Sequence, residues 1–268
     1  MTRGKLISNI CITGSSGFIG GQLLSYLKDS FNVTTINRSS LNSDIKKLAH
    51  QDFIIHCAEN SNISSYKKLN TESLAVLEQL VRKCKRLIYL SSSSVYKKNI
   101  TRPLLEGDQM FERNWYAKNK LMSEKIVLEN EGIVLRLCNI YGNNMKQNLI
   151  TEIISYIEDD SSITLMNPDA KRHFLYIDDL LELIKKIILA PKKGLFNVSN
   201  NSVFSAKEIA ILLQEIILKE SNKKRIIRSG KKEKNILEIN SQKVRENYNW
   251  YPKNSLECGL KKMLNEKK

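Results

Sequence analysis

Tyr116 and Lys120 have side-chain types and a spacing that suit proton transfer. Residues four apart lie on one face of a helix. A nearby ammonium group favours the phenolate and lowers the pKa of a tyrosine from its usual value of about 10, so the hydroxyl can exchange a proton at neutral pH. Taken alone, Y-x-x-x-K is common by chance and is more often a plain helix surface.

A run of hydroxyl side chains, Ser91 to Ser94, follows a predicted strand. It therefore lies at the carboxyl edge of a parallel sheet, where α/β proteins bind ligands. A serine here could donate a hydrogen bond to a substrate carbonyl. A polar turn or helix cap is the alternative interpretation.

A glycine turn, T-G-S-S-G-F-I-G over residues 13–20, follows the first apolar run and opens an amphipathic segment. Glycines let the backbone turn sharply and approach a pyrophosphate, which then faces the free N–H groups of a helix N-terminus. In this strand–turn–helix context the pattern predicts a dinucleotide site. The predicted cofactor-binding residues of the turn are Gly14, Ser16, Gly17, Phe18, Ile19 and Gly20.

The end of the second strand bears on the choice of dinucleotide. An acidic residue there would bind the ribose hydroxyls of NAD, but this chain has Asn37, Arg38, Ser39 and Ser40. A guanidinium with no carboxylate nearby suits a 2′-phosphate, because arginine offers planar paired donors. The sequence favours NADP over NAD, and an ordinary surface arginine is the alternative.

The first half of the chain, which must position these residues, alternates short β-branched runs with helical patterns. This alternation predicts an α/β fold of the Rossmann type, with a doubly wound parallel sheet and a smaller, mostly helical C-terminal lobe. The predicted strands are Leu6–Thr13, Val33–Asn37, Phe53–Cys57, Arg86–Ser91 and Ile133–Leu137. The predicted helices of this part are Phe18–Lys28, Ser64–Lys83 and Trp115–Asn130.

After Gly142 the alternation of strand and helix patterns gives way to longer helical segments with few clear strands. The helices predicted there are Leu149–Glu158, Ile177–Leu189 and Ser205–Leu218. We expect residues 1–142 to form the dinucleotide-binding domain and residues 143–268 to form mainly the substrate lobe, with 177–199 returning to the first domain. The link from Asn37 to Phe53 is short, so one of its usual elements is expected to be vestigial.

Composition narrows the functional class. Hydrophobic residues make up 41% of the 268 residues, enough for a sizeable core. No apolar stretch is long enough to span a membrane and the N-terminus does not follow a signal-peptide layout, so we expect a cytoplasmic protein that contacts no membrane. The five scattered cysteines predict neither disulfides nor a metal site.

The net charge of +15 is compatible with nucleic-acid binding. The basic residues are scattered, however, and no interleaved aromatic residues accompany them. We interpret them as a solvated surface, with no specific nucleic-acid partner. They cluster mainly at Lys223, Lys224, Arg225, Arg228, Lys231 and Lys232.

Taken together, the motifs resemble those of the extended short-chain dehydrogenase/reductases, the NAD-dependent epimerase/dehydratase family that acts on nucleotide sugars. The resemblance runs from about Leu6 to Asn200. The segments that carry it are the glycine turn, H-C-A at 56–58, S-S-S-x-V-Y at 91–96, Y-A-K-N-K at 116–120, L-R-L-C-N-I-Y-G at 135–142, R-H-F-L-Y-I-D-D-L at 172–180 and F-N-V-S at 196–199.

The resemblance implies roles for individual residues. Tyr116 would be the proton donor or acceptor, and Lys120 would hold the nicotinamide ribose and tune the tyrosine. Ser92 aligns with the catalytic serine or threonine, with Ser93 as the second choice. Two further residues, Asn139 and Arg172, would contact the substrate, while Ala58 would lie beside the cofactor.

Three positions depart from the family pattern: Glu59 replaces the second alanine of H-x-A-A, Lys97 a glycine and His173 an aspartate. Dehydratases of the family resemble T-D-E where this chain has serines, so dehydration is disfavoured. A one-way 4-ketoreductase that uses NADPH is favoured, and a 4-epimerase that retains NAD is the alternative.

The resemblance further suggests a homodimer that packs through Ser64–Lys83 and Trp115–Asn130, although core packing would explain their apolar residues equally well. A non-catalytic regulatory or RNA-binding protein on the same fold is a more distant alternative. Such proteins commonly lose the tyrosine or the lysine, and both are present here.

Overall fold

The computed structural model describes residues 6–60, 63–97, 102–111, 114–146, 148–159, 161–165, 167–218, 227–229 and 236–265. The strands are β1 (Leu6–Thr13), β2 (Phe31–Ile36), β3 (Gln51–His56), β4 (Cys84–Ser92), β5 (Ile133–Leu137), β6 (Asn139–Tyr141), β7 (Ile163–Leu165), β8 (Lys171–Tyr176), β9 (Gly194–Val198), β10 (Val203–Ser205), β11 (Ile227–Ser229) and β12 (Ile236–Leu237). The α-helices are α1 (Phe18–Leu27), α2 (Leu41–Lys47), α3 (Thr71–Val81), α4 (Trp115–Glu129), α5 (Leu149–Glu158), α6 (Ile177–Leu189), α7 (Ala206–Leu218), α8 (Gln242–Tyr248) and α9 (Leu256–Asn265).

Six parallel strands form the main sheet in the order β2-β1-β3-β4-β5-β9. Alternate residues of β1 point to opposite faces, because side chains in a strand alternate. Ile10 and Ile12 belong to the core on one face, and Cys11 belongs to the core on the other. The order reverses between β1 and β3, so a crevice opens there at the carboxyl edge. The Rossmann-type α/β fold predicted from the sequence is confirmed.

The smaller lobe is built around β8, which pairs with β6, β10 and β12, while β7 pairs with β11. The expectation of few strands after Gly142 is wrong for this lobe. Its strands are only two to six residues long, and Lys171–Tyr176 has three polar residues followed by three apolar ones, so it lacks the alternation that indicates a strand. β9 returns to the main sheet beside β5.

Two predictions in the first half need correction. The predicted helix Ser64–Lys83 is a 3-10 turn at Ile63–Ser65 followed by α3, which begins at Thr71 because the Asn70 side chain accepts a 3.0 Å hydrogen bond from the Ser73 N–H. The crossover after Asn37 is not vestigial. It holds a 3-10 turn and the two-turn helix α2.

None of the helices in the described ranges is long and apolar enough to cross a membrane. The expected cytoplasmic location stays a prediction. Of the C-terminal basic cluster, Lys223, Lys224, Arg225, Lys231 and Lys232 lie outside the described residues, and the side chain of Arg228 does too.

Candidate active site

The glycine turn joins β1 to α1 at the point where the strand order reverses. Gly14 has a φ of +74°, and its N–H donates a 2.9 Å hydrogen bond to the Ile36 oxygen. A Cβ on Gly14 would lie 2.7 Å from the Ala58 Cα, and a Cβ on Gly20 would collide with the Gly14 oxygen. Only glycine permits both close approaches, so the turn packs directly on the segment after β3.

The N-terminus of α1 faces this turn. The N-cap residue of this helix is Gly17, which has no side chain to accept a hydrogen bond from the first N–H groups. The first turn of the described helix carries no acidic residue. The first N–H groups of the helix therefore have no side-chain acceptor, and the positive end of the helix dipole is not neutralised locally. This arrangement suits the pyrophosphate of a dinucleotide.

A cavity of about 330 Å³ connects the glycine turn with the predicted proton-transfer residues. Its walls come from the start of α1, the carboxyl ends of β3 and β4, the first turns of α4 and the segment after β5. The lining residues are Gly17, Phe18, Ile19, Gly20, His56, Cys57, Glu59, Asn60, Leu90, Ser91, Ser92, Tyr116, Lys120, Leu137, Cys138, Ile140 and Met145. A parallel sheet brings these chain segments together because its strands all end at the same edge.

Tyr116 and Lys120 lie in the first two turns of α4, which begins after the capping residue Asn114. Both side chains are buried, and the Lys120 Nζ lies 5.8 Å from the centroid of the Tyr116 ring. The Nζ donates a 2.8 Å hydrogen bond to the Leu90 oxygen. The ring of Tyr66 packs edge-on against Tyr116, with centroids 5.3 Å apart. The helical spacing read from the sequence thus brings both groups into one cavity.

Glu59 forms a buried ion pair with Lys120, and its Oε1 accepts a 2.7 Å hydrogen bond from the Tyr89 hydroxyl. Burial alone would lower the pKa of Lys120, but Glu59 and Tyr116 outweigh it and hold that pKa above its usual value. Burial acts oppositely on the pKa of Glu59, which it would raise, yet Lys120 keeps that pKa below its usual value. Both partners are therefore charged at neutral pH.

Ser92 ends β4 and also caps the 3-10 turn Ser93–Val95. Its Oγ accepts a 3.2 Å hydrogen bond from the Ser94 N–H and lies 2.9 Å from the Ser94 Oγ. Ser92 therefore caps a turn and also lines the cavity, while its contact with a substrate carbonyl stays a prediction. Its own hydroxyl proton is free to be donated either to Ser94 or to a ligand.

The histidine and the two cysteines of the wall are neutral. Burial lowers the pKa of His56 to about 4, and the His56 Nδ1 lies 2.8 Å from the Thr13 hydroxyl. Burial also raises the pKa of Cys57 and of Cys138 to about 12, so neither is a thiolate. Among the described residues no three His, Cys, Asp or Glu side chains cluster as a metal site.

Several predicted site residues lie outside this cavity. Ser93 is buried and does not line the cavity, whereas Ser91 does. Asn139 points its amide at the His173 oxygen, 2.9 Å away, and Arg172 is exposed on β8. Ala58 lines a neighbouring cavity of about 230 Å³ that shares Glu59 and Asn60.

The residues predicted to select the dinucleotide follow β2. Asn37 is the first residue past the strand, and its Oδ1 accepts a 3.3 Å hydrogen bond from the Ser15 hydroxyl in the glycine turn. Ser39 is exposed in the 3-10 turn Arg38–Ser40. The side chain of Arg38 lies outside the described residues.

His173, one of the departures from the family pattern, has a structural environment. The Ile239 N–H donates a 3.2 Å hydrogen bond to the His173 Nε2, so the proton is on Nδ1. Nδ1 lies 3.0 Å from the Ser202 oxygen and 3.1 Å from the Asn200 Oδ1. The ring therefore connects β8 to two other segments of the smaller lobe.

A family model described as the NAD dependent epimerase/dehydratase family matches residues 10–199. The chain belongs to this family. It is thus an NAD(P)-dependent enzyme of the extended short-chain dehydrogenase/reductase type, the reductase and epimerase type that acts on nucleotide sugars. The cavity fits that cofactor class, because the glycine turn, the open helix N-terminus and the Tyr116–Lys120 pair face one space.

Two relatives and one solved structure show how far the similarity within the family extends. The CDP-abequose synthase of Salmonella muenchen is 27% identical, with 96% of this chain and 97% of that protein covered. The GDP-6-deoxy-D-talose 4-dehydrogenase of Aggregatibacter actinomycetemcomitans is 28% identical, with 77% and 79% covered. A UDP-N-acetylglucosamine 4-epimerase from Methanobrevibacter ruminantium M1, in complex with UDP-N-acetylmuramic acid, has the same fold, with a TM-score of 0.85 at 19% identity over 97% of each chain.

The family pattern identified the tyrosine, the lysine and the glycine turn but missed the partner of Lys120. Glu59 stands out in the sequence only as a departure from H-x-A-A. Its role could have been suspected from topology, because the carboxyl end of β3 must adjoin that of β4 in a parallel sheet. Asn60 and Met145 also line the cavity, and no motif marks either of them.

Proposed function

We propose that this enzyme reduces the 4-keto group of a nucleotide-linked deoxysugar, with NADPH as the reductant. The observation that carries the proposal is the single cavity that joins the glycine turn to Ser92, Tyr116 and Lys120. Both relatives described above are named for a nucleoside diphosphate sugar. One name also specifies a 6-deoxysugar and a reaction at position 4.

The chemistry divides between the cofactor and the chain. The glycine turn and Lys120 would hold NADPH, which when bound would supply the hydride for the carbonyl carbon. Tyr116 donates its hydroxyl proton to the carbonyl oxygen and recovers a proton from solvent. Ser92 donates a hydrogen bond to the same oxygen and stabilises the negative charge that develops there. Lys120 is fixed by the Leu90 oxygen and Glu59, which orient its ammonium beside Tyr116.

Dehydration is disfavoured because elimination of water needs an acid–base pair beside the sugar. The serine run at 91–94 provides no carboxylate. Among the described residues that line the cavity, Glu59 is the one carboxylate, and Lys120 already binds it. Reduction needs one hydride, which the dinucleotide would supply, and one proton, which Tyr116 would donate.

NADPH is favoured because the segment after β2 carries no acidic residue. Asn37 lies beside the glycine turn, where a carboxylate would repel a 2′-phosphate, and Arg38 follows it with Ser39. A guanidinium binds a phosphate with paired, charge-assisted hydrogen bonds. NAD is the alternative cofactor.

We propose Asn139 and Arg172 as contacts to the nucleotide sugar. Arg172 is exposed on β8 of the smaller lobe, and a guanidinium there suits the diphosphate. The two-domain arrangement supports this role. Residues 1–142 with 177–199 would bind the dinucleotide, while the remainder would cover the sugar.

A homodimer through α3 and α4 completes the proposal. Trp115, Met122 and Leu128 of α4 are exposed large apolar side chains, and burial against a second copy would remove them from water. Met122→Asp should convert a dimer to a monomer in light scattering after gel filtration. If the wild type is already a monomer, the dimer proposal is wrong.

The decisive experiment has two steps. The purified protein is denatured, and any released dinucleotide is identified by mass spectrometry. The protein is then assayed for oxidation of NADPH with a panel of 4-keto sugar nucleotides, with Tyr116→Phe as the control. We expect little resident cofactor and turnover with one class of 4-keto sugar. Resident NAD together with interconversion of two C4 epimers would instead identify a 4-epimerase.

A further inference from the structure

Glu59 departs from the family pattern and directly contacts Lys120. Its carboxylate pairs with Lys120 and accepts the hydroxyl of Tyr89, and its side chain is 9% exposed. Burial keeps the pKa of Tyr89 well above its usual value, so this tyrosine stays a donor to Glu59. The carboxylate therefore has two fixed partners in a region with little water.

The ion pair sets the charge of the cavity wall. His56 is neutral at pH 7 because burial lowers its pKa to about 4. Among the described residues that line the cavity, Glu59 and Lys120 are the two that carry charge, and these charges cancel. If Glu59 were the small residue of the family pattern, the same wall would carry one uncompensated positive charge.

The charge of the cavity wall affects the binding of the oxidised and the reduced nicotinamide differently. The reduced ring is neutral and the oxidised ring carries a positive charge. A net positive wall repels the oxidised ring, whereas a neutral wall does not. The low dielectric of a buried site makes this difference larger than in water.

We propose that Glu59 sets the redox preference of the bound dinucleotide by cancelling the charge of Lys120, so that the oxidised form binds more tightly than it would without the carboxylate. The inference rests on the proposed function for the position of the nicotinamide beside Lys120. It also predicts the favoured direction of the reaction. A site that stabilises the bound oxidised cofactor relative to the reduced one favours hydride transfer from the cofactor to the substrate.

A purely structural role for Glu59 predicts something different. If Glu59 served only as the ion-pair and hydrogen-bond partner of Lys120 and Tyr89, its replacement would lower the free energy of unfolding. It would also reduce the affinity for both redox forms by the same factor. The ratio of the two dissociation constants separates these possibilities, since a general loss of affinity cancels in it. The ratio also needs no substrate, so it can be measured whichever reaction the enzyme catalyses.

The test compares Glu59→Gln with wild type by titration of the dinucleotide-free protein with NADP⁺, NADPH, NAD⁺ and NADH. We expect the ratio of the dissociation constant of the oxidised form to that of the reduced form to rise about tenfold in Glu59→Gln, for the phosphorylated and the unphosphorylated pair alike. Glu72→Gln is the matched control, because it removes the same charge from an exposed residue that lines the neighbouring cavity. Glu72 accepts a hydrogen bond from the side chain of Asn42. Its ratio should equal that of wild type.

Tyr89→Phe adds a second control, since it removes a hydrogen bond to Glu59 and keeps the carboxylate charge. It should leave the ratio within about twofold of wild type. If Glu59→Gln does not fold, Glu59→Ala gives the same measurement with the family's small residue. An unchanged or lower ratio in the Glu59 variant overturns the inference. Failure of every 4-keto sugar to oxidise NADPH would overturn the proposed function while leaving this ratio measurable.

Discussion

The Lys120 Nζ lies 2.8 Å from the main-chain oxygen of Leu90, so the second turn of α4 is fastened to the end of β4. Tyr116 lies one helical turn before Lys120, and Ser92 lies two residues after Leu90. One hydrogen bond thereby limits the movement of all three predicted catalytic residues relative to each other.

Tyr116→Phe should lower turnover by at least about 10²-fold, because the ring stays in place and only the transferable proton is lost. Dinucleotide affinity, measured by titration of protein fluorescence, should stay within about twofold of wild type. Full activity in this variant would remove Tyr116 from the mechanism.

Lys120→Met should destabilise the fold by about 3–5 kcal/mol, because it leaves the Glu59 carboxylate buried without its partner. Cofactor affinity and rate should fall as well. The double variant Glu59→Gln/Lys120→Met should recover at least half of the lost free energy of unfolding, measured by urea denaturation. If the two single losses simply add, the ion pair contributes no coupling.

Gly20→Ala should abolish dinucleotide binding, because the added Cβ collides with the Gly14 oxygen and displaces the turn from the start of α1. Gly107→Ala is the matched control, since nothing lies within 4 Å of a Cβ built there. Equilibrium dialysis with NADPH checks both. Normal binding by Gly20→Ala would mean that the turn does not hold the pyrophosphate.

Arg38→Ala should weaken NADPH binding by about ten- to a hundredfold and leave NADH almost unchanged, as expected for loss of a charge-assisted contact. Asn37→Asp should go further by repelling the 2′-phosphate and giving the ribose of NADH a better acceptor. Titration of both cofactors decides between the two. A wild type that prefers NADH, or equal losses for both cofactors in Arg38→Ala, would identify Arg38 as a surface residue.

Stability should fall on acidification because of His56. Its pKa is about 4 in the folded protein and about 6.5 when unfolded, so the unfolded chain takes up the proton first. The free energy of unfolding therefore decreases as the pH falls from about 6.5 to 4, by up to about 1.4 kcal/mol per pH unit. Carboxylates also contribute, so the readout is the difference between wild type and His56→Asn in urea at pH 7, 5.5 and 4.5. Equal slopes would contradict the assignment.

Local sequence patterns predicted the first five strands of the main sheet because each contains a short run rich in β-branched or other apolar residues. Residues 6–13 and 133–137 were predicted with the observed bounds, as were helices 149–158 and 177–189. The short strands of the smaller lobe gain their pairing from tertiary contacts, which a local pattern does not contain. The predicted helix start at Ser64 was wrong for a related reason. The side chain of Asn70 caps the helix, so it begins at Thr71 whatever the apolar spacing before that residue.

The sequence predicted residues that share a cavity where they are related by spacing along one element, as with Tyr116 and Lys120. A pairing was missed where two elements contribute, as with Glu59 on the segment after β3 and Lys120 on α4. A second case is the buried pair of Glu124 with Arg136, 2.6 Å apart between α4 and β5. Nothing in the local sequence of either residue indicates its partner.

The return of β9 to the edge of β5 has a consequence for how the protein is made. A ribosome that has released residues up to Leu137 has completed five strands of the main sheet, yet the outer edge of β5 has no neighbour until Val198 emerges. Asn197 of that late strand also bonds the Tyr96 hydroxyl, 2.6 Å away. The nascent chain therefore presents an open, apolar strand edge for much of its synthesis, a state prone to association with other chains. A fragment that stops at residue 142 should accordingly be insoluble when expressed alone.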